Sequence, residues 1–408
     1  MSLLAQEFRL QASKSKDARM KEEATSPVGY STGFLLFDFK NGTMVHGMKD
    51  NQPIEYHSIG IRDGSLVMII GRSGCGKTTW TLQTAGNIIR PFKSGMIFHD
   101  DIEGGIIEER KQQLTKLYGE EFTERYVGRD AGITAENFYE RVKMIHDIKL
   151  NNIDKFSYNT GIYDLHGEPV YKLEPTVYIL DSLALLMPDK YATEDDLSGQ
   201  MSATAAAKTN AAIFKRLIPM IKAANIILLV INHINQNVSI NPMMKKKASV
   251  AYLKQEETLP GGNACIYLAN NLVRFDDHSK LKKGEGFDID GIMVDVQLVK
   301  SRSNKAGQFA RLVFDQDHGF DEELSLFNFL KECKRVKGAG AYLYLGDRDD
   351  IKFSQKQFKK KLRENPELRE VFMQEVAEEL KTMISDNRLE LEESDFTANL
   401  SGDILSLV

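Results

Sequence analysis

The chain has 408 residues, 42% hydrophobic and 27% charged, with a net charge of −5 from 53 basic and 58 acidic side chains. This length buries a sizeable core without disulfide or metal support, and a near-balanced charge carries no global nucleic-acid signature, so any such surface is local. No apolar run reaches the ~18 residues that suggest a bilayer span, and three widely spaced cysteines, Cys75, Cys265 and Cys333, suit a reducing compartment better than a disulfide framework or a zinc site.

Residues 1–29 read as a short amphipathic helix, with Leu3, Leu4, Phe8 and Leu10 on one face, followed by a polar linker that ends near Pro27. This start has neither the apolar stretch nor the small-residue cleavage site of a secretory signal, so a cytoplasmic protein is expected. From 30 to about 330, strand-like apolar runs alternate with helical patterns, which predicts an α/β fold with a mainly parallel sheet. The predicted strands are 65–71, 95–100, 176–182, 225–232 and 292–301, most of them continuous apolar runs as expected where helices cover both sheet faces. Helices are predicted over 77–89, 106–118, 136–148 and 203–223, and a hairpin insertion around His166-Gly167 over 156–172. Residues 331–388 form a separate expectation: a small α+β C-terminal domain with a two-stranded piece and helices at 354–363 and 366–385. The tail 389–408 holds Glu390, Glu392, Glu393, Asp395 and Asp403 and no base, which accounts for the whole formal excess of negative charge.

The sharpest local signal is Gly71-Arg72-Ser73-Gly74-Cys75-Gly76-Lys77-Thr78, followed by Thr79, between a predicted strand and a predicted helix. It matches G-x-x-x-x-G-K-[ST] in the context that motif requires. Its glycines let backbone N–H groups curl around phosphate oxygens, and the helix N-terminus adds a favourable dipole. Lys77 is the expected neutraliser of the β- and γ-phosphates of ATP, and Thr78 the expected Mg²⁺ ligand. Asp181, ending the apolar run TVYILDS with Ser182 beside it, is the carboxylate expected to hold that ion through its water shell.

Together with this loop, several other segments resemble the RecA family of DNA recombinases, especially its bacteriophage members. These are STGFLLFDFKNG (31–42), YILDSLALLMP, INH (231–233), GGNA (261–264), VRFD (273–276), LVKSR (298–302), GAYLYLGD (340–347) and RENPELREVFMQEV (363–376), in family order over about 30–380. The resemblance implies a RecA-like ATPase core over 30–330 that hydrolyses ATP with Mg²⁺. It also implies a helical filament on single-stranded DNA that pairs and exchanges strands with homologous duplex. Hydrolysis needs a carboxylate after the second core strand to orient water, and here ungapped alignment with the family puts Ile102 in that place. Glu103 is the candidate by a one-residue shift, with Asp100 and Asp101 as alternatives. His233 is the expected γ-phosphate sensor. Lys300 and Arg302 alternate along a strand, and the resemblance implies that they act on the neighbouring subunit's ATP.

The segment 237–260 is long and basic: Lys245, Lys246, Lys247 and Lys254 offer phosphate contacts, while Met243, Met244 and Tyr252 can wedge or stack against bases. The resemblance makes it a second DNA loop and 187–203 the first, with Met201 as a wedge between nucleotide triplets and Lys208 reaching a phosphate. It also implies that the N-terminal helix docks on the next subunit. The acidic tail would compete for the basic loops, and its apolar end, Ile404 to Val408, would contact a single-strand-binding or mediator protein. Two other readings share these motifs. One is a ring-forming helicase of the same core, which the short N-terminal segment disfavours. The other is a nucleotide-binding filament scaffold without turnover, motivated by Ile102.

Overall fold

The computed structural model describes residues 26–192, 199–236, 257–282, 289–340 and 342–386, together with Leu253 and Phe287. The expected N-terminal helix and the acidic tail therefore lie outside the described residues, as do Met243, Met244, Lys245, Lys246, Lys247, Tyr252 and Lys254.

The centre is a nine-stranded sheet. Its strands in chain order are β1 (Leu66–Gly71), β2 (Met96–Asp101), β3 (Tyr126–Arg129), β4 (Thr176–Asp181), β5 (Ile226–His233), β6 (Asn271–Leu281), β7 (Gly291–Ser301), β8 (Phe309–Asp315) and β9 (Gly319–Asp321). They lie side by side as β9-β8-β7-β6-β1-β5-β4-β2-β3. Every pair from β6 across to β3 is parallel, and β6 to β9 continue as an antiparallel extension. The protein is thus α/β, with a large and mostly parallel central sheet. The helices α1 (Lys77–Ile89), α2 (Ala135–Leu150), α3 (Gly199–Ala223), α4 (Glu322–Glu332) and α5 (Pro366–Asp386) surround or extend it.

The central strands read as unbroken apolar runs because both faces are covered. Val67, Ile69, Val177, Ile179, Ile227 and Leu229 join one buried cluster, with Trp80, Leu82, Ala85 and Ile88 of α1. Their neighbours Leu66, Met68, Tyr178, Leu180, Leu228 and Val230 join the other, with Phe138 and Val142 of α2 and Phe214 and Leu217 of α3. Each such side chain contributes on the order of 2 kcal/mol when fully buried. The period-two alternation sends adjacent residues to opposite helix layers.

Local chemistry sets the element ends. Thr134 caps α2 in a capping box with Asn137, and the Asp321 carboxylate accepts the Leu324 N–H at 3.0 Å at the start of α4. In the segment STGFLLFDF, Asp38 is fully buried and accepts hydrogen bonds from Ser31 Oγ, Thr32 Oγ1 and the Thr32 N–H. Burial nevertheless pushes its carboxyl up to about 6. Strands Ser157–Tyr163 and Pro169–Leu173 form an antiparallel hairpin over the insertion. It docks on a second hairpin, Thr43–Lys49 with Gln52–Ser58, through the Met48 N–H to Asp164 O bond at 2.8 Å. After α4 the chain forms the hairpin Val336–Ala339 with Tyr342–Leu345, helix Phe358–Glu364 and α5. Phe353, Phe358 and Phe372 there pack with Phe327 of α4 in the same buried cluster as the sheet. Among the described residues no helix is long and apolar enough to cross a membrane.

Candidate nucleotide site

Four parallel strands that lie consecutively in the sheet, β1, β5, β4 and β2, end at one edge. The register puts Asp181 opposite Asp101 on one side and Ile231 on the other, and His233 opposite Gly71. Ligands of open parallel sheets bind beyond such carboxyl ends. Here a pocket of about 240 Å³ lies there, lined by Ser73, Gly74, Gly76, Lys77, Thr78, Thr79, Glu103, Asp181, Ile231, His233 and Phe314.

The phosphate loop leaves β1 and enters α1 through Gly76, whose φ of 78° is left-handed. A Cβ at that position would lie 2.9 Å from the Phe320 ring, so a side chain is excluded on two counts. Lys77 is buried in the first turn of α1, and its Nζ donates to Arg72 O at 2.8 Å. Burial lowers its pKa from the ordinary lysine value. Cys75 is also buried, and desolvation raises its thiol pKa. Thr78 Oγ1 donates to Asp181 Oδ2 at 2.7 Å. Burial pushes Asp181 up to about 6 against that hydrogen bond, with the Glu103 and Asp101 charges adding to the push. The Asp181–Ser182 peptide bond is cis.

The chain turns sharply at the end of β2. The Ile102 N–H donates to Asp181 O at 2.6 Å, so the chain folds over the end of β4 as soon as β2 stops. Ile102 turns to the apolar cluster beneath α2 and α3. Glu103 swings into the pocket, where its Oε1 meets His233 Nε2 at 2.6 Å. Burial pushes Glu103 up, but the hydrogen bond with His233 and the charge of Lys77 outweigh it, so its pKa lies below the usual carboxylate value. The two candidates from separate segments are therefore partners.

Asp100 has a different job from the one considered for it in the sequence. It is fully buried and faces away from the pocket, held by Arg129 Nε and Nη2 at 2.7 and 2.9 Å, by Arg141, and by Tyr178 Oη at 2.6 Å. No water-orienting role is open to a carboxylate caged in this way. Asp100→Asn is expected to cost on the order of 3 kcal/mol, because breaking a buried pair leaves charge uncompensated. Thermal unfolding should drop by several degrees while nucleotide affinity of the folded protein stays near wild type; unchanged melting with lost turnover would restore Asp100 as a water-orienting candidate. Asp101 lies on the other parity of β2, beside His99: its Oδ1 accepts the Gly104 N–H at 2.9 Å and its Oδ2 is 3.3 Å from Lys111 Nζ. Burial pushes His99 down to about 4, so its ring is neutral.

The remaining candidates lie elsewhere. Lys300 Nζ donates to Ile266 O and Tyr267 O at 2.8 and 2.7 Å, and Arg302 Nη2 to Tyr267 O at 2.8 Å, at the C-terminal end of helix Asn263–Leu268. Neither lines the pocket. Lys300 lies on β7, which is interior, between β6 and β8, and Arg302 lies just past the end of that strand, so the two do not alternate along an edge-strand face. Met201 lies inside α3 rather than in a loop. Lys208 is exposed on the same helix.

Sequence reasoning missed how the segment 237–256 is fastened. Asn235 and Gln236 pair with Thr258 and Glu257 in a two-residue antiparallel ladder, and Asn232 Nδ2 donates to Pro260 O at 2.8 Å. Arg274 of β6, 2% exposed, grips Glu257 at 2.5 and 2.7 Å and Asp276 at 2.6 Å. The base of the segment is thus pinned two residues beyond His233. The arginine of VRFD was visible as a resemblance, but its partner across the segment was not.

A phosphate loop between a parallel strand and a helix, with a buried carboxylate at the end of β4 two strands away in the same sheet, defines an α/β unit of the P-loop kind. No protein-family model matches the chain. Over 52 residues it is 50% identical to an uncharacterized ABC transporter ATP-binding protein of Mycobacterium bovis and to one of Mycobacterium tuberculosis, a stretch covering 13% of this chain and 15% of theirs. The chain thus matches only about 15% of the length of these curated relatives.

Proposed function

We propose that the protein is an ATP-dependent DNA recombinase. It would assemble head to tail into a helical filament on single-stranded DNA, pair that strand with homologous duplex, and exchange strands. The observation that carries this reading is the 2.6 Å contact between Glu103 and His233 in the pocket, with the pinned segment 237–256 starting just beyond His233. Glu103, ionised at neutral pH, would orient the attacking water. His233 would feel both that carboxylate and the terminal phosphate, and would pass their state through Asn232, Asn235 and Gln236 to the basic segment. Lys77 would exchange the Arg72 carbonyl for the β- and γ-phosphates. Thr78 and Asp181, already 2.7 Å apart with the carboxylate buried, suit Mg²⁺, which would neutralise phosphate charge.

In the filament, Lys300 and Arg302 would leave the Ile266 and Tyr267 carbonyls and reach the ATP of the next subunit, an interface that repeats without closing. The N-terminal helix would dock on that subunit, and the acidic tail would screen the basic segment in a salt-sensitive way. Met201, Lys208 and the basic segment would line the DNA path.

The test combines a strand-exchange assay, using circular single strands and homologous linear duplex, with phosphate release and electron micrographs. Joint molecules that need ATP, DNA-stimulated release and open helical filaments are expected. Closed rings that unwind forks without joint molecules would replace this reading by a helicase. Filaments with no turnover under any DNA condition would replace it by a scaffold.

A further inference from the structure

We propose that His99, Asp101 and Asp181 form a binding site for a divalent transition-metal ion of the Mn²⁺ or Zn²⁺ class, directly behind the nucleotide pocket. His99 and Asp101 share one face of β2 by strand parity, and Asp181 is the register partner of Asp101 on β4. The three residues are 0%, 3% and 3% exposed. Each offers a ligand atom within 4.8 Å of those of the other two.

Each residue also holds a buried atom with no hydrogen-bond partner among the described residues: His99 Nε2, Asp101 Oδ2 and Asp181 Oδ1. The opposite atom of each is anchored. His99 Nδ1 meets Tyr126 Oη at 2.5 Å, Asp101 Oδ1 accepts the Gly104 N–H, and Asp181 Oδ2 accepts Thr78 Oγ1. Outer partners of this kind fix the tautomer and orientation of metal ligands, leaving one lone pair of each for the ion.

Charge points the same way. Lys111 Nζ lies 3.3 Å from Asp101 Oδ2, whereas Asp181 has Lys77 as its nearby cation and the charges of Glu103 and Asp101 against it, so carboxylates outnumber lysines here. Leaving a carboxylate buried without compensation costs several kcal/mol, and a dication removes that cost. One imidazole nitrogen with two carboxylate oxygens suits Mn²⁺ or Zn²⁺, whereas Ca²⁺ prefers six to eight oxygens. Ligand atoms on such an ion stand roughly 3–4 Å apart, so small side-chain rotations would close the site. Asp181 would then bridge, with Oδ2 toward Thr78 and the nucleotide and Oδ1 toward the new ion. The site stands whether or not the recombination reading does.

The test is a titration of the metal-stripped, nucleotide-free full chain with Mn²⁺ or Zn²⁺ alone, followed by calorimetry and, for Mn²⁺, electron paramagnetic resonance. One ion per chain is expected. His99→Gln should weaken binding tenfold or more, and Lys111→Met, which removes the competing charge, should tighten it severalfold. Binding of equal strength in wild type and His99→Gln would overturn the site, since the ion would then sit on the Thr78 side. Absence of binding in both wild type and Lys111→Met would overturn it too. If His99→Gln fails to fold, Lys111→Met decides: unchanged or weaker affinity sinks the proposal.

Discussion

Under the proposed recombinase function, Lys77→Ala is expected to lower ATP hydrolysis by about 10³-fold or more and to abolish strand exchange with it, since stabilisation of phosphoryl charge is often the largest catalytic term. The reason is geometric. Lys77 is fixed by the first turn of α1, 6% exposed, with its Nζ held by Arg72 O inside the pocket. Truncation removes the charge from a site where burial has excluded most water and no other lysine lines the cavity. Phosphate release and joint-molecule formation should fall together. Exchange at the wild-type rate by this variant would show that binding and exchange do not run through the pocket.

Glu103→Gln separates binding from turnover. The amide keeps the shape and can still bond His233, but it cannot hold a water as a base, so ATP hydrolysis should fall by roughly 10²–10³-fold, the usual worth of a positioned base. Nucleotide affinity should stay within a few-fold, because the phosphate loop and Thr78 are untouched. DNA-stimulated turnover that survives the change would move the role to Asp101, the remaining acidic candidate once Asp100 is committed to Arg129 and Arg141.

The sequence made some of this legible and hid the rest for identifiable reasons. Strands β1, β4 and β5 lie within a residue of their predicted limits because double-sided burial writes each as an apolar run. Strand β3 has only four residues, and the outer half of β6, Asp277 to Lys280, is charged and exposed, so neither carries that pattern. For the candidate site, the phosphate loop and Asp181 were visible as motifs, and Glu103 and His233 as neighbours of strand ends. Choosing among Asp100, Asp101 and Glu103 needed strand parity and the turn made by Ile102 over Asp181 O, which only the folded chain supplies. Long-range partners such as Arg274 with Glu257, or Arg141 with Asp100, leave no local trace.

The ladder of Asn235–Gln236 against Glu257–Thr258 also bears on how this protein can diversify. Two chain ends held side by side fix where the segment between them leaves and rejoins the core, while Leu253 within it, 6% exposed, packs into the cluster beneath α2 and α3. Under a simple loop-closure estimate, doubling such a segment costs only about 0.6 kcal/mol. Changes of length between residues 237 and 256 can therefore be explored by descent while the sheet, the pocket and His233 keep their places, provided an apolar side chain stays at Leu253.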